Sequence, residues 1–198
     1  STAVETLAGL GAEIVDVTVP RLDEEELNAW PVLASTEAAA VHKSTFPSRS
    51  PDYGVYFRQF LANGNAVAGP VLADAFIARK RAIGRMRPLF EGIDMLACPT
   101  LATESFRYDP EDAYGGLDPE EGVLCGVPLD WFGANAPFIT VWDYNGYPTL
   151  SVPCGFSQDR IPLSLQLVGP PLHEAALCRA GHAYEQATEW HLQHPDLT

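Results

Sequence analysis

Basic residues are scarce in this sequence. Twelve Lys and Arg stand against 26 Asp and Glu, for a formal charge of −14 over 198 residues. A surface of that sign repels phosphate, so direct binding of nucleic acid is not expected. Lysine is the rarer base, present only as Lys43 and Lys80. No apolar run reaches the roughly 18 residues that a membrane span requires. No signal-peptide pattern opens the chain either, and the expectation is a cytoplasmic protein without a membrane partner. The four cysteines, Cys98, Cys125, Cys154 and Cys178, form no C-x-x-C pair. That spacing suits reduced thiols better than a disulfide framework or a zinc site. His191 and His194 lie in a polar tail and do not pattern with the cysteines, so no metal and no cofactor is expected. Repeats, low-complexity runs and flexible linkers are lacking, which favours a single domain over 1–198. The chain opens without methionine and runs directly into helix-forming sequence, as expected of a piece cut from something longer.

What is present reads as strands separated by helices. "TAVETLAGLGAEIVDVTVP" predicts a helix stopped at Gly9 or Gly11 and then a strand over Glu13–Val19. "DEEELNAWPVLASTEAAAVHKSTF" is helical in composition, with acids at its start where the helix dipole favours them. Pro31 is expected to break it into two helices. "SPDYGVYFRQFLANGN" reads as a loop and a short helix. Ala66 to Pro88 gives the clearest helical pattern. Leu72, Phe76, Ile83, Met86 and Phe90 fall on one narrow stripe at about 100° per residue. Arg79 falls within that stripe, where a guanidinium must meet a carboxylate or carbonyls. "IDMLACPT" predicts a short strand ended by Pro99, and the acidic Gly- and Pro-rich stretch Thr103–Pro128 predicts a surface excursion bordering a cleft. "TLSVP" sets Leu150 and Val152 opposite Thr149 and Ser151, and "PLSLQLV" sets Leu163, Leu165 and Leu167 opposite Ser164 and Gln166. A last helix over 173–190 buries Leu177, Ala180, Tyr184 and Ala187. This alternation favours an α/β sandwich.

Two side chains invite a nucleophile reading, and neither is backed by a base. Ser151 lies inside an alternating strand with no G-x-S-x-G elbow around it, so it reads either as a nucleophile or as a small polar group on a sheet face. Cys154 stands at a strand end without a neighbouring histidine, either as a reactive thiol or as an inert one. Lys43 ends a helix and Lys80 reads as solvent-facing.

"FITVWDYNGYPTLSVPCGFSQDRIPLSLQLVGPPLHEAALCRAGHAYEQAT" resembles the C-terminal region of the amidase signature enzymes. The residues that carry the resemblance are Gly146, Pro148, Ser151, Val152, Pro153, Gly155, Pro162, Gln166 and Gly169. Upstream, "LGAEIVDVTVP" resembles the family's opening. Ala75, Arg79, Phe90, Asp94, Pro99 and Thr100 match its Ala–Arg helix and Pro-Thr strand end. The resemblance runs over essentially the whole chain. It implies the C-terminal part of an α/β/α sandwich around a mixed sheet. It also implies hydrolysis of carboxamide C–N bonds, or transfer of ammonia from an amide, through a Ser–cis-Ser–Lys triad in the family's N-terminal half. The triad's Gly/Ser-rich run does not occur in these 198 residues. On this reading no catalytic residue lies in the chain. Its partners are the missing N-terminal half of the same protein and a small-molecule amide, and it supplies sheet and substrate-pocket wall. The pocket candidates are Arg79, Asp143, Asn145 and Cys154. The sequence departs from the family pattern at Asp143, where Asn is usual, and at Arg160 and Ser164, where Gly is usual. In the family's tRNA-amidotransferase A subunits the arginine matching Arg79 helps hold the carboxylate of glutamine, while an acid shortly before Gly-x-Pro holds its amine. Trp131–Trp142 contains no acid, which leaves Arg79 either a substrate contact or an internal ion-pair partner, with Asp143 as one candidate. An amidohydrolase portion, an amidotransferase A-subunit portion and a non-catalytic module that kept the fold are the three readings. The sheet edge left open by a missing half makes homo-oligomers an expectation.

Overall fold

The alternating runs at 149–168 form a hairpin, and that hairpin organises the first of two compact units. The structure, a computed structural model, describes residues 2–105, 116–118 and 122–194. One unit comprises residues 1–20, 86–105 and 135–198, the other 21–85 and 106–134.

In the first unit, β5 (Thr149–Phe156) pairs antiparallel with β6 (Pro162–Val168), and β6 pairs antiparallel with β1 (Leu96–Pro99), giving the order β1-β6-β5. Leu150 and Val152 point to the core side as their alternation predicts, while Thr149 and Ser151 are exposed. Against that side pack α6 (Glu174–Gln186), through Leu177 and Tyr184, and α1 (Thr2–Gly9), through Ala3 and Leu7. The opposite side meets the later part of α5 (Leu129–Asn145): Gln166 Nε2 donates to the Phe138 carbonyl at 2.8 Å. Helices thus lie on both faces of the sheet, and the chain is α/β. The described strands pair antiparallel throughout.

The hairpin turn accounts for Arg160. Ser157 N–H donates to Ile161 O at 2.9 Å, and Ser157 Oγ accepts from Asp159 and Ile161 N–H. Arg160 adopts φ 64°, the left-handed conformation for which glycine is the usual choice. Its guanidinium lies 5.0 Å from the centroid of Phe156, an attraction that offsets part of the strain.

In the second unit, α2 (Glu24–His42) begins at a capping box in which Asp23 accepts from Glu26 N–H while Glu26 accepts from Asp23 N–H. Helix α3 (Val55–Ala66) packs on it, and α4 (Gly69–Met86) follows. Three two-residue strands, β2 (Leu117–Asp118), β3 (Val123–Leu124) and β4 (Val127–Pro128), form a small meander.

Several expectations are corrected. Pro31 does not divide α2, which runs unbroken. The carbonyl that Pro31 deprives of a donor is that of Leu27, a residue 48% exposed and close to water. Glu13–Val19 forms no strand. Ile14, Val15 and Val17 are exposed and pair with no described strand, and β1, paired with β6 on one side, keeps its outer edge open among the described residues. The helix expected from Ala66 starts at Gly69, with Pro70 in its first turn, where a missing N–H costs nothing. Its buried face is Ala75, Ala78, Ala82 and Met86, rotated by roughly a quarter turn from the predicted stripe, and Phe76 is exposed. Helix α5, with Pro137 inside it, is not among the expected elements. The last helix ends at Gln186, so Ala187 caps it and is exposed. Of the excursion at 103–128, residues 106–115 and 119–121 lie outside the described residues, and its far end is the meander rather than open loop.

Candidate functional site

At the end of the three-stranded sheet the strands open onto a cavity of about 450 Å³. Its walls are the start of α1, the end of β1 with the segment 101–105, and the facing ends of β5 and β6. Local chemistry explains how each wall is held. In β5 the register against β6 shifts between Pro153 and Gly155, so Cys154 is the extra residue of a bulge. A bulge re-aims the side chain it inserts. Gly155 takes φ 139°, a conformation that side chains rarely adopt, and Cys154 lines the cavity. Segment 101–105 is held by Asn135, which is fully buried. Its Oδ1 accepts from Ala102 N–H at 2.8 Å and Thr103 N–H at 3.3 Å, and its Nδ2 donates to Thr103 Oγ1 at 2.8 Å. Gln166 braces the middle of the sheet by donating to Phe138 O and, at 3.4 Å, to Cys98 Sγ.

The lining is mainly apolar, with Cys98, Cys154 and Ser164 as polarisable and polar points on the strands and Thr2, Thr103, Glu104 and Ser105 on the flanking segments. Burial pushes the Cys98 thiol up, partly opposed by the Gln166 hydrogen bond, and burial pushes the Cys154 thiol up as well. Both thiols are therefore poor nucleophiles near neutral pH. This leads to a prediction about alkylation by iodoacetamide. Cys178 is exposed and reacts first, and Cys98 and Cys154 lag. Because a raised pKa delays the thiolate, the two slow rates keep climbing at pH values where a free thiol has levelled off. Peptide mapping over a pH series checks this, and Cys154 reacting as fast as Cys178 at neutral pH contradicts it.

Ser151 stands on the sheet face with its Oγ 3.1 Å from Thr100 Oγ1. Its described side-chain contact is another hydroxyl, not a base, which favours the scaffold reading.

Of the four pocket candidates, Cys154 lines the cavity. Asp143 and Asn145 sit at the end of α5 in the same unit and do not line it. Partial burial raises the carboxyl pKa of Asp143. Asn145 is 5% exposed, and neither amide atom has a hydrogen-bond partner among the described residues. Arg79 belongs to the other unit, half-buried on α4. Asn135 and Gln166 are the residues that hold the wall in place. Gln166 was legible as a family position. Asn135 had only the signal of an amide side chain within an apolar run. Among the described residues no group of three or more His, Cys, Asp or Glu side chains is placed to hold a metal ion, and no single helix is long and apolar enough to cross a membrane.

The family model described as Amidase matches residues 1–178. The chain belongs to the amidase signature family. Among curated relatives, the glutamyl-tRNA(Gln) amidotransferase A-subunit of Thermosynechococcus vestitus is 28% identical over 98% of this chain and 42% of its own length. An amidase of Pseudomonas putida is 32% identical over 98% of this chain and 40% of its own length. The chain therefore spans about two-fifths of the length of these relatives. The solved structure of 6-aminohexanoate cyclic dimer hydrolase superimposes with a TM-score of 0.79 at 21% identity, over 99% of this chain and 42% of that one. A bacterial aryl acylamidase of the amidase signature family gives 0.73 at 19%, over 96% and 40%. At these identities the two structures speak for the fold.

Proposed function

We propose that this chain is the C-terminal portion of an amidohydrolase that cleaves carboxamide C–N bonds through an acyl-enzyme, and that it contributes sheet and substrate-pocket wall. The observation that carries this reading is the family match over residues 1–178, taken with coverage of about two-fifths of the relatives. The unmatched portion supplies the attacking serine and a lysine–serine relay. Backbone N–H groups hold the oxyanion. Arg79, Asp143, Asn145 and Cys154 remain the candidates for substrate contact in the assembled pocket. The raised pKa values of the two cavity thiols support a wall rather than a nucleophile.

The name of the T. vestitus relative favours a second reading, an A-subunit-like portion of a glutamine-dependent tRNA amidotransferase. The lack of an acid over Trp131–Trp142 weighs against a glutamine site there. Active-site labelling of the intact protein with a fluorophosphonate tests the proposal. The expected adduct lies on a serine outside these 198 residues, and Ser151→Ala and Cys154→Ala keep turnover within about tenfold of the parent. An adduct on Ser151, or amide turnover by this chain alone that Cys154→Ala abolishes, overturns it. Ammonia released from glutamine but not from simple amides selects the second reading.

A further inference from the structure

Three hydrogen bonds close a ring of contacts at the end of α2. His42 Nδ1 lies 3.0 Å from Tyr53 Oη, Tyr53 Oη lies 2.5 Å from Thr45 Oγ1, and Thr45 Oγ1 donates to the His42 carbonyl at 3.1 Å. Each hydroxyl has a single hydrogen to give. A carbonyl can only accept, so the third bond consumes the hydrogen of Thr45. Thr45 must then accept from Tyr53, which consumes the hydrogen of Tyr53. Tyr53 must in turn accept from the imidazole. One assignment keeps all three contacts, and it places a hydrogen on Nδ1.

Two aromatic rings flank the imidazole. Tyr53 and Phe57 meet the imidazole edge-on, with centroids at 5.4 and 5.3 Å. The ring is half-buried, and Nε2 has no hydrogen-bond partner among the described residues and is not sealed from solvent. We infer that neutral His42 is locked in the tautomer with its proton on Nδ1 and presents Nε2 as a bare acceptor, a binding point for a ligand that only donates. An organic ammonium with an apolar substituent fits it best. Its N–H groups match the lone pair, and its apolar substituent can lie against the flanking rings of Tyr53 and Phe57. This inference stands independently of the amidase reading.

The assignment makes Thr45, which does not touch the imidazole through its side chain, the residue that decides the tautomer. Without the Thr45 hydroxyl, Nδ1 is the described partner left for the hydrogen of Tyr53, and the ring proton is expected to move to Nε2. The test is ¹⁵N-histidine NMR of the full chain above the histidine titration range, with His42→Gln assigning the signal among the five histidines. The wild-type spectrum is expected to show a protonated Nδ1 and an unprotonated Nε2. Thr45→Ser keeps that pattern and Thr45→Val reverses it. Titration with benzylammonium is expected to shift the Nε2 resonance of the wild type and of Thr45→Ser, and to leave that of Thr45→Val in place. A wild-type Nε2–H tautomer, or a tautomer indifferent to Thr45→Val, overturns the lock. Equal shifts in wild type and Thr45→Val, or none in either, overturn the ligand assignment.

Discussion

Replacing Gly64 with alanine is expected to lower the stability of the second unit by about 3 kcal/mol or more, while the same change at Gly84 raises it by up to about 1 kcal/mol. Gly64 lies in α3 where that helix crosses α2. A Cβ built there stands 2.0 Å from the carbonyl oxygen of Ser35, 2.4 Å from its carbon and 2.9 Å from the nitrogen of Thr36. All three are backbone atoms in the middle of α2. No rotamer change relieves the clash, so the helices must separate. Leu61, one turn earlier on α3 and fully buried, would lose its packing as they do. At Gly84, in the interior of α4, an added Cβ meets nothing within 4 Å and the backbone is not left-handed. There alanine changes only helix propensity. Urea unfolding of the two variants beside the parent, read as midpoint shifts at unchanged slope, checks the pair. A Gly64→Ala midpoint within error of the parent contradicts the close crossing.

The same contrast explains how far the sequence could be read. Gly64 looks like an ordinary helix-weakening glycine until α2 is seen against it, because a close crossing is a property of two elements. The two strands at 149–168 were legible since alternation is a local signal, and their antiparallel pairing across a short turn is what the structure adds. Arg160 was legible as a left-handed position only through the family's glycine. On α4 the reading weighted bulk and placed Phe76 inside. The structure buries the alanines instead, since small side chains allow near approach and large ones do not. The run at 13–19 met the local requirement for a strand, yet it pairs with no described strand although β1 and β5 each keep an outer edge, and nothing local in the sequence announces that. For the site, the expected strand-end position of Cys154 is corrected: β5 runs on to Phe156, and Cys154 is the extra residue of a bulge inside it. The roles of Asn135 and Gln166 were not legible, because each clamps segments from distant parts of the chain.

Removing Arg85 is expected to destabilise the second unit by about 2–3 kcal/mol. The carboxylate of Glu26 is fully buried at the first turn of α2. One of its oxygens accepts from Asp23 N–H and meets Arg85, and Oε1 has no hydrogen-bond partner among the described residues. Arg85 also donates to Arg21 O at 3.1 Å, and it lies 3.9 Å from Asp23, so a single guanidinium neutralises and ties down the entry to α2. A buried carboxylate stripped of its partner costs more than the pair contributed, because the charge remains and its compensation is gone. The effect stays below that of a wholly enclosed pair, since the Arg85 side chain is 43% exposed and solvent screens it. This asymmetry has a distinctive signature. Glu26→Gln made in the Arg85→Ala background removes the stranded charge and keeps an acceptor for Asp23 N–H. The double variant is therefore expected to be more stable than Arg85→Ala alone, by about 1 kcal/mol. Arg81→Ala, which breaks the exposed pair with Glu25 at 2.8 Å, is expected to leave the midpoint unchanged. A double-mutant cycle by urea unfolding separates the cases. If Glu26→Gln further destabilises the Arg85→Ala chain, the carboxylate is not stranded, and the clamp at the start of α2 is held by something other than charge.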